Sequence, residues 1–434
     1  MCSGACRQDV LCPADVVVKA ISEAQIGQNE SKVAMELNEV CDLIIDCEHK
    51  TAPIQETGFP SIRTPNIGRG RFILDGVNRV SEETYSLWTK RAVPQPGDLI
   101  MAREAPVGNV AMIPEGLRPC LGQRTLLIRP NRTKVEPSFL NYFLNGPHVQ
   151  GLIHAKTNGA TVAHLNMKDV RTMTLPELPP LPVQRRIAGI LSAYDELMEN
   201  SQRRIRLLET MARALYREWF VHFRFRGHEK QPCVASLLGD IPHGWEVRKV
   251  AEFAEFARGI EPGSQAYTKE PAPNHIKFLR VGDLSKRDSE LYIPLELAEG
   301  RILEPLDIAI TLDGSVGLVR LGLSGAYSTG VRKVLIGDVS RLGWSFAYHL
   351  LMSDSIQATI QAHAKGTTIK HAGTAVAALE FVSPPKDLIE RFEHATAPML
   401  KQILALQDQI QNLRRTRDLL LPRLLSGQIE IGNN

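Results

Sequence analysis

"LPPLPVQRRIAGILSAYDELMENSQRRIRLLETMARALYREWF", residues 178–220, is the stretch that decides the fold of this chain. Two neighbouring files of mostly apolar residues run along it at spacings of seven: Ile187, Tyr194, Ser201, Leu208 and Leu215, and beside them Leu191, Met198, Ile205, Ala212 and Trp219. Two such files form a continuous stripe on one helix. A helix of roughly 33 residues at 1.5 Å each spans about 50 Å, so its stripe needs a long partner.

A second segment of the same kind lies near the C-terminus, at residues 383–427, "SPPKDLIERFEHATAPMLKQILALQDQIQNLRRTRDLLLPRLLSG". It also follows two prolines, and an offset of 205 positions carries Pro180 to Pro385 and Ile187 to Phe392. The sequence therefore predicts two helices that pack against each other. The residues expected to pack in these helices are Ile187, Tyr194, Leu208, Leu215, Phe392, Met399, Leu406, Leu413 and Leu420.

Prolines should set the limits of both helices, because proline lacks a backbone donor and disrupts a helix interior. The proline-rich "LPELPPLP", residues 175–182, should precede the first helix, and the polar "RFRGHEKQP", residues 224–232, should follow it. In the second segment we expect a short helix before Pro398 and a long helix that begins there. Pro422 should mark the end of that helix.

Further similarities show that the chain is a tandem duplication. "NGATVAHL" at 158–165 matches "KGTTIKHA" at 365–372, which aligns His164 with His371. "PQPGDLIMAREAPVGNVAMI" at 94–113 resembles "LEPLDIAITLDGSVGLVRLG" at 303–322, which aligns Gly108 with Gly317. Short apolar runs bounded by Gly and Pro predict strands in each half. The expected fold class is α+β: two mixed domains with two long antiparallel coiled-coil helices and a pseudo-twofold axis.

Composition sets limits on the function. The 434 residues are 43% hydrophobic and 23% charged with a net charge of +3, which is ordinary for a globular protein and permits a nucleic-acid partner. No apolar run is long enough to cross a membrane, and the N-terminus lacks a signal-peptide pattern, so we expect a cytoplasmic protein. The seven cysteines show no metal-ligand spacing, so we expect reduced thiols and no metal.

The most specific segments are 178–220, "IPHGWEVRKV" at 241–250 and "LRRTRDLLLPRLLSG" at 413–427. Together with the duplication, they resemble the specificity subunit of type I DNA restriction-modification systems, over roughly residues 37–431. The resemblance implies two target-recognition domains, each reading one half of a split DNA sequence, and helices that set the spacing and dock two methyltransferase subunits. It also implies restriction and translocase subunits in the complex. Because the two domains differ in sequence, the target should be asymmetric.

The resemblance divides the chain into five parts. The expected boundaries are an N-terminal extension at 1–35, disordered or preceding a true start at Met35; the first recognition domain at 36–180; the central spacer helix at 181–232; the second recognition domain at 233–384; and the C-terminal helix and tail at 385–434.

Catalytic motifs are absent from the sequence. There is no Asn-Pro or Asp-Pro dipeptide for an adenine methyltransferase loop, and no Gly-Lys dipeptide for a phosphate-binding loop. GxSxG and HExxH are missing as well. Cys47, Glu48 and His49 favour a structural or contact role over catalysis. We therefore expect a non-catalytic subunit without cofactors, whose partner subunits use S-adenosylmethionine, ATP and Mg²⁺.

Candidate DNA contacts are basic and polar residues on loops, because phosphate contacts set the register and base contacts set the sequence. They are Lys50, Thr51, Arg63, Arg69, Arg71, Lys156, Asn158, Thr161, Lys365, Thr367 and Lys370. A solvated strand face is at least as good an interpretation for the basic run Arg118, Arg124, Arg129, Arg132 and Lys134. His164 and His371 are expected to pack.

Two other interpretations stay open at this point. The chain could be a coiled-coil adaptor whose globules bind proteins, and this is distinguished by whether binding to duplex DNA falls steeply with salt. It could also be the detached DNA reader of a fused nuclease-methyltransferase, in which case its partner would be one large enzyme.

Overall fold

The computed structural model describes residues 35–157, 164–367 and 369–429. The chain forms two compact units. The first unit runs to Met198 and resumes at Asn412, and the second unit is Glu199–Gln411. The unit boundaries therefore cut through both long helices, so that each unit consists of a globule plus a part of each helix.

The first unit is built on a four-stranded antiparallel sheet, order β2-β8-β5-β6, and a three-stranded sheet, order β4-β3-β7, in which β3 and β7 are parallel. The central strand β5 is buried at every residue, as its apolar sequence "LIMA" predicts. The strands are β1 Met35–Glu36, β2 Cys41–Asp46, β3 Phe59–Ile62, β4 Arg79–Val80, β5 Leu99–Ala102, β6 Val110–Met112, β7 Cys120–Leu121, β8 Thr125–Pro130 and β9 Thr174–Leu175. The helices of this globule are α1 Glu82–Trp88, α2 Pro137–Asn145, α3 Pro147–Ala155 and α4 Met167–Arg171.

The second unit repeats this design, with four-stranded sheets β13-β20-β17-β18 and β15-β14-β19-β16 and the two-stranded pairs β10-β11 and β12-β21. Its strands are β10 Cys233–Ser236, β11 Gly239–Pro242, β12 Glu246–Lys249, β13 Ala254–Arg258, β14 His275–Leu279, β15 Tyr292–Pro294, β16 Ile302–Leu303, β17 Ile308–Thr311, β18 Val319–Arg320, β19 Gly325–Tyr327, β20 Val331–Ile336 and β21 Glu380–Ser383. Besides the two long helices α5 Leu181–Phe220 and α9 Lys386–Leu425, its helices are α6 Asp283–Lys286, α7 Trp344–Leu351 and α8 Asp354–Ala362.

The aligned glycines occupy equivalent contacts in the two units. Gly108 has a φ of 83°, and the side-chain amide of Gln150 donates to its carbonyl oxygen at 2.8 Å. Gly317 has a φ of 88°, and a Cβ there would lie 2.3 Å from Oε1 of Gln357. Both positions combine a left-handed backbone with a close glutamine, so both require glycine. The duplication inferred from the sequence is therefore present in the structure.

The two long helices pair in antiparallel fashion within each unit. In the first unit, Arg417 of α9 donates to Asp195 of α5 at 2.5 Å, and Leu420 joins the core that contains Ile187. In the second unit the opposite helix ends meet, with the rings of Phe220 and Phe392 5.1 Å apart. This confirms the predicted coiled-coil pairing. Of the predicted packing residues, the buried ones are Ile187, Phe392, Leu406 and Leu420, and the half-buried ones are Tyr194, Leu208, Leu215, Met399 and Leu413.

The expected helix break at Pro398 is wrong, because α9 is one continuous helix of 40 residues that includes Pro398. A proline inside a helix costs roughly 3 kcal/mol. Its neighbours Thr396 and Leu400 are 0% and 4% exposed, so burial of the flanking turns offsets that cost. Helix α5 begins at Leu181, the first residue expected for the central spacer helix, so Leu181 and Pro182 of the proline-rich segment are helical. Proline is tolerated there because first-turn amides have no helical acceptor.

Within the described residues, no helix is long and apolar enough to cross a membrane.

Candidate nucleic-acid interface

Several strands of the first unit end at one edge. β2 and β5 end beside the start of β8: the amide of Cys47 donates to Thr125 at 3.2 Å, and Ala102 pairs with Thr125. β3 and β7 end together there, since the amide of Gly122 donates to Ile62 at 2.7 Å. The loops after these strands carry three of the predicted contacts, and all are exposed: Lys50, Thr51 and Arg63.

A buried arginine holds this edge together. The Arg103 side chain is 7% exposed, and its Nη1 lies 2.5 Å from the Asp46 carboxylate. Its Nε donates to the carbonyl of Leu165 at 2.9 Å, and its Nη2 lies 3.0 Å from Nε2 of His164. One guanidinium thus fixes the end of β2 to the segment at 164–165. Charge-assisted bonds of this kind are stronger than neutral ones, so the geometry is well defined.

A second ion-paired group lies next to Arg103. Glu104 is 3.2 Å from Nδ1 of His164 and 2.9 Å from Nε of Arg124. Asp46 also lies 2.9 Å from Nε2 of His49. His164, expected to pack in the core, is instead half-buried and bonded to charged groups on both ring nitrogens. These carboxylates neutralise the cations nearest the sheet and leave Lys50 and Arg63 available to a ligand.

The loop that carries Arg69 and Arg71 is preorganised. Gly70 between them has a φ of 86°, its amide donates to Val110 at 2.7 Å, and its carbonyl accepts from Nδ2 of Asn141 at 2.9 Å. The amide of Gly68 donates to the Arg71 carbonyl at 2.9 Å, which closes the turn. Both arginine side chains are exposed. A rigid loop with two exposed guanidinium groups suits phosphate or base contact, because little entropy is lost on binding.

The second unit has the equivalent arrangement. Lys365 and His371 exchange backbone hydrogen bonds of 3.0 and 2.8 Å, and the amide of Gly314 donates to Lys370 at 2.8 Å. Nδ1 of His371 lies 2.8 Å from Asp313, so a histidine–carboxylate pair recurs here, and His371 is exposed, not packed. The loop therefore lies against the end of β17. Its predicted contact residues are all exposed: Lys365, Thr367 and Lys370.

The remaining predicted contacts are not all exposed, and two of them lie outside the described residues. Lys156 is half-buried at the end of α3. Asn158 and Thr161 lie outside the described residues. Within the basic run, Arg129 binds Asp98 at 2.7 Å, and Lys134 and Arg132 donate to backbone carbonyls at 2.7 and 2.9 Å. These three residues therefore have structural partners.

Arg103 and Glu104 were not among the residues predicted for this edge, although the sequence contains a signal for Glu104. The aligned repeats place Glu104 opposite Asp313 and His164 opposite His371. A carboxylate and a histidine that recur together at aligned positions indicate a pair in space, which the structure shows in both units. Arg103 itself gave no such signal, because Leu312 stands at its aligned position.

Three side chains that are able to bind metals also meet at this edge. Donor atoms of Asp46, Cys47 and His49 lie within 4.8 Å of one another. The Arg103 guanidinium already holds Asp46, and a cation at this point would be repelled by it. The arrangement therefore favours a local ion-pair network over a metal centre.

The likeness to known proteins agrees with this geometry. Residues 29–210 match the family model described as type I restriction modification DNA specificity domain. The MjaIX specificity subunit of Methanocaldococcus jannaschii is 24% identical over 370 residues, covering 83% of this chain and 84% of the relative. The HindI specificity subunit of Haemophilus influenzae is 20% identical, covering 70% and 80%.

Among solved structures, the type I restriction-modification S subunit from M. genitalium has a TM-score of 0.63 at 15% identity, covering 92% of this chain and 97% of that one, which confirms the fold class. The matched region is thus similar to a DNA specificity domain. More narrowly, residues 29–210 are similar to the type I restriction modification DNA specificity domain, and the relatives that cover most of the chain are type I specificity subunits.

Proposed function

We propose that each unit reads one half of a bipartite DNA target for a type I restriction-modification complex. The observation that carries this proposal is the sheet edge at which the loops meet, called the loop edge, which recurs in both units. Exposed cations lie there on a backbone that an ion-paired network fixes. In the first unit these cations are Lys50, Arg63, Arg69 and Arg71, and in the second Lys365 and Lys370. Cationic loops on a rigid scaffold suit a polyanion whose grooves must be read at a fixed register.

The two halves of the target differ under this proposal. Both units keep the histidine–carboxylate pair that fixes a loop, but the exposed side chains around it are different. In the first unit the turn at Gly70 presents two arginines, and in the second the turn at Gly366 presents lysines and a threonine. Because base readout depends on the donors presented to the groove, the bipartite target should be asymmetric.

The long helices give the proposed complex its spacing and its assembly surface. The outer faces of α5 and α9 carry exposed residues, among them Leu207, Met211 and Leu419. We assign these faces to two methyltransferase subunits, through which restriction and translocase subunits join. Chemistry resides in those partners, which use S-adenosylmethionine, ATP and Mg²⁺, and this chain is a non-catalytic, cytoplasmic reader.

The test combines the full-length chain with its methyltransferase partner in a host that lacks other adenine methylation. Sequencing of modified bases should show one bipartite, asymmetric motif with an unread gap. The purified complex should bind duplexes containing that motif with an affinity that falls steeply between low and physiological salt. Methylation without a two-part motif would contradict the proposal, and salt-insensitive capture of proteins instead of DNA would support an adaptor.

A further inference from the structure

Strands β2 and β13 occupy the same place in the duplicated sheets β2-β8-β5-β6 and β13-β20-β17-β18, but they end in residues of opposite charge. β2 ends at Asp46, which pairs across the sheet with Leu126 on β8. β13 ends at Arg258, which pairs with Arg332 on β20. Both strand ends lie next to the loops described above. The duplication has therefore kept this place in the fold and changed the sign of its charge.

In the first unit this position is not available to a ligand. The Asp46 side chain is 16% exposed, and its carboxylate is bound by Arg103 at 2.5 Å and by His49 at 2.9 Å. Its negative charge would also be repelled by DNA phosphates. Asp46 is therefore a support for the loop edge.

In the second unit the position is open. Arg258 is exposed, and its side chain has no hydrogen-bond or ion-pair partner within the part of the chain that the structure describes. It stands directly opposite Arg332, which is 9% exposed. Like charges placed directly opposite on a sheet are destabilising. Asp313, 3.6 Å from Arg332, is the carboxylate that offsets this charge, and it is shared with His371.

The pKa of Arg332 reflects its burial and the positive charge of Arg258 opposite it. Burial lowers the pKa of Arg332, Asp313 raises it, and Arg258 lowers it further. An acceptor-rich ligand over Arg258 would relieve this repulsion. The backbone after Arg258 is fixed, because the amide of Ile260 donates to Tyr327 at 2.9 Å and a Cβ at Gly259 would lie 2.2 Å from the same carbonyl oxygen. The Arg258 side chain is thus presented from a rigid support.

We propose that Arg258 is a specificity-determining residue that donates hydrogen bonds to a guanine edge in the half-site of the second unit. A guanidinium fits the two acceptors that guanine presents in the major groove. Phosphates are the same at every nucleotide, so a phosphate contact should be kept in both copies of a duplicated reader. A base contact should differ between copies that read different half-sites, and the first unit has the ion-paired Asp46 where the second has the exposed Arg258. This inference rests on the proposed function.

The experiment uses the full-length chain with its methyltransferase partner, as wild type and as the variants Arg258→Ala, Arg258→Lys and Arg341→Ala. Arg341 is an exposed arginine of the same unit that lies on the turn before α7, away from the loop edge, and serves as the matched control. The readout is the methylated motif in the host genome. Methylation of the half-site read by the first unit reports that each variant is folded and assembled.

Arg258→Ala should reduce the preference for guanine at one position of one half-site by about 10- to 100-fold. Arg258→Lys should also lose this preference, because an ammonium group cannot form the bidentate contact. Arg341→Ala should leave the motif unchanged. Full rescue by lysine, with alanine lowering methylation at all sites equally, would identify a phosphate contact and overturn the proposal, as would an unchanged motif in Arg258→Ala. If the wild-type protein itself gave no bipartite methylated motif, the proposed function would be wrong, independently of Arg258.

Discussion

Buried arginines hold the loop edge in both units, and they come from different strands. Arg103 follows β5 and reaches Asp46 and His164, while Arg332 lies on β20 and reaches Asp313. A buried guanidinium is costly unless every donor is paired, so removing one partner is more damaging than exchanging the group. The same support has thus been reached by two sequences, which leaves the exposed loop residues free to differ.

The pH dependence of the second unit should depend on His349. This residue is 6% exposed between Tyr216 and Phe392, and burial lowers its pKa from the ordinary 6.5 to about 4, with a smaller contribution from Arg213. The folded state therefore favours the neutral ring. Its contribution to stability is complete above pH 6.5 and is lost as the pH falls towards 4, which amounts to about 2 kcal/mol between pH 7 and pH 5.

The measurement is urea unfolding at pH 7 and pH 5 of the wild type and of His349→Leu, followed by tryptophan fluorescence. Three of the four tryptophans report on the second unit: Trp219, Trp245 and Trp344. The wild type should lose about 2 kcal/mol more than the variant on acidification. Equal losses in both proteins would show that His349 is not the titrating group.

The sequence predicted the exposed cations better than the buried charged residues that fix their loops. Lys50, Arg63 and Lys370 were identified because basic residues next to Gly and Pro indicate loops, and exposure follows from that placement. Arg103 was missed because burial of a charge depends on partners distant in sequence, here Asp46 and His164, which no local pattern connects. The proline at 398 was misjudged for a related reason, since local propensity was outweighed by tertiary packing of the neighbouring turns.

Within the helices, burial separates a leucine of the predicted packing stripe from a leucine outside it. Leu406 of α9 is 1% exposed, whereas Leu207 of α5, in the same unit, is 60% exposed. Leu406→Ala should lower the free energy of unfolding by about 2 to 5 kcal/mol, because it removes buried methyl groups and leaves a cavity. Leu207→Ala should change it by less than about 0.5 kcal/mol. Urea unfolding of the two variants decides this, and similar losses would contradict the burial of the α9 stripe.

Pro398 offers a direct test of the continuous helix α9. Replacement by Ala restores a backbone donor inside the helix and removes the clash of the ring with the preceding turn. Part of this gain is offset by the greater freedom of alanine in the unfolded chain, so we expect a stabilisation of about 2 kcal/mol. The check is the urea midpoint of Pro398→Ala against wild type. If the helix began at Pro398, the substitution would be neutral or destabilising.

At the scale of the whole molecule, neither unit is one continuous piece of chain with its own helix. The first unit needs residues after Asn412, since Leu420 and Leu424 belong to the core that contains Leu37 and Leu191. Cutting the chain after Met198 would expose that core. A transfer of specificity should therefore move the globule alone and keep both long helices, together with the globule residues that pack on them.

Exchange of residues 37–176 for the corresponding globule of a relative with a different target should rewrite one half of the methylated motif and leave the other half unchanged. The reason is that the exposed loop residues lie on the globules, while the helices supply the surfaces against which each globule packs.

A matched second variant carries seven additional residues in α5 after Met198 and seven in α9 before Asn412, which preserves the heptad register of both helices. It should lengthen the unread gap by about three base pairs, because seven residues add about 10 Å of helix and each base pair occupies about 3.4 Å. Both motifs are determined by sequencing modified bases in cells with the methyltransferase partner. A globule exchange that alters both half-sites, or an insertion that alters either one, would show that reading and spacing are not carried by separate parts of the chain.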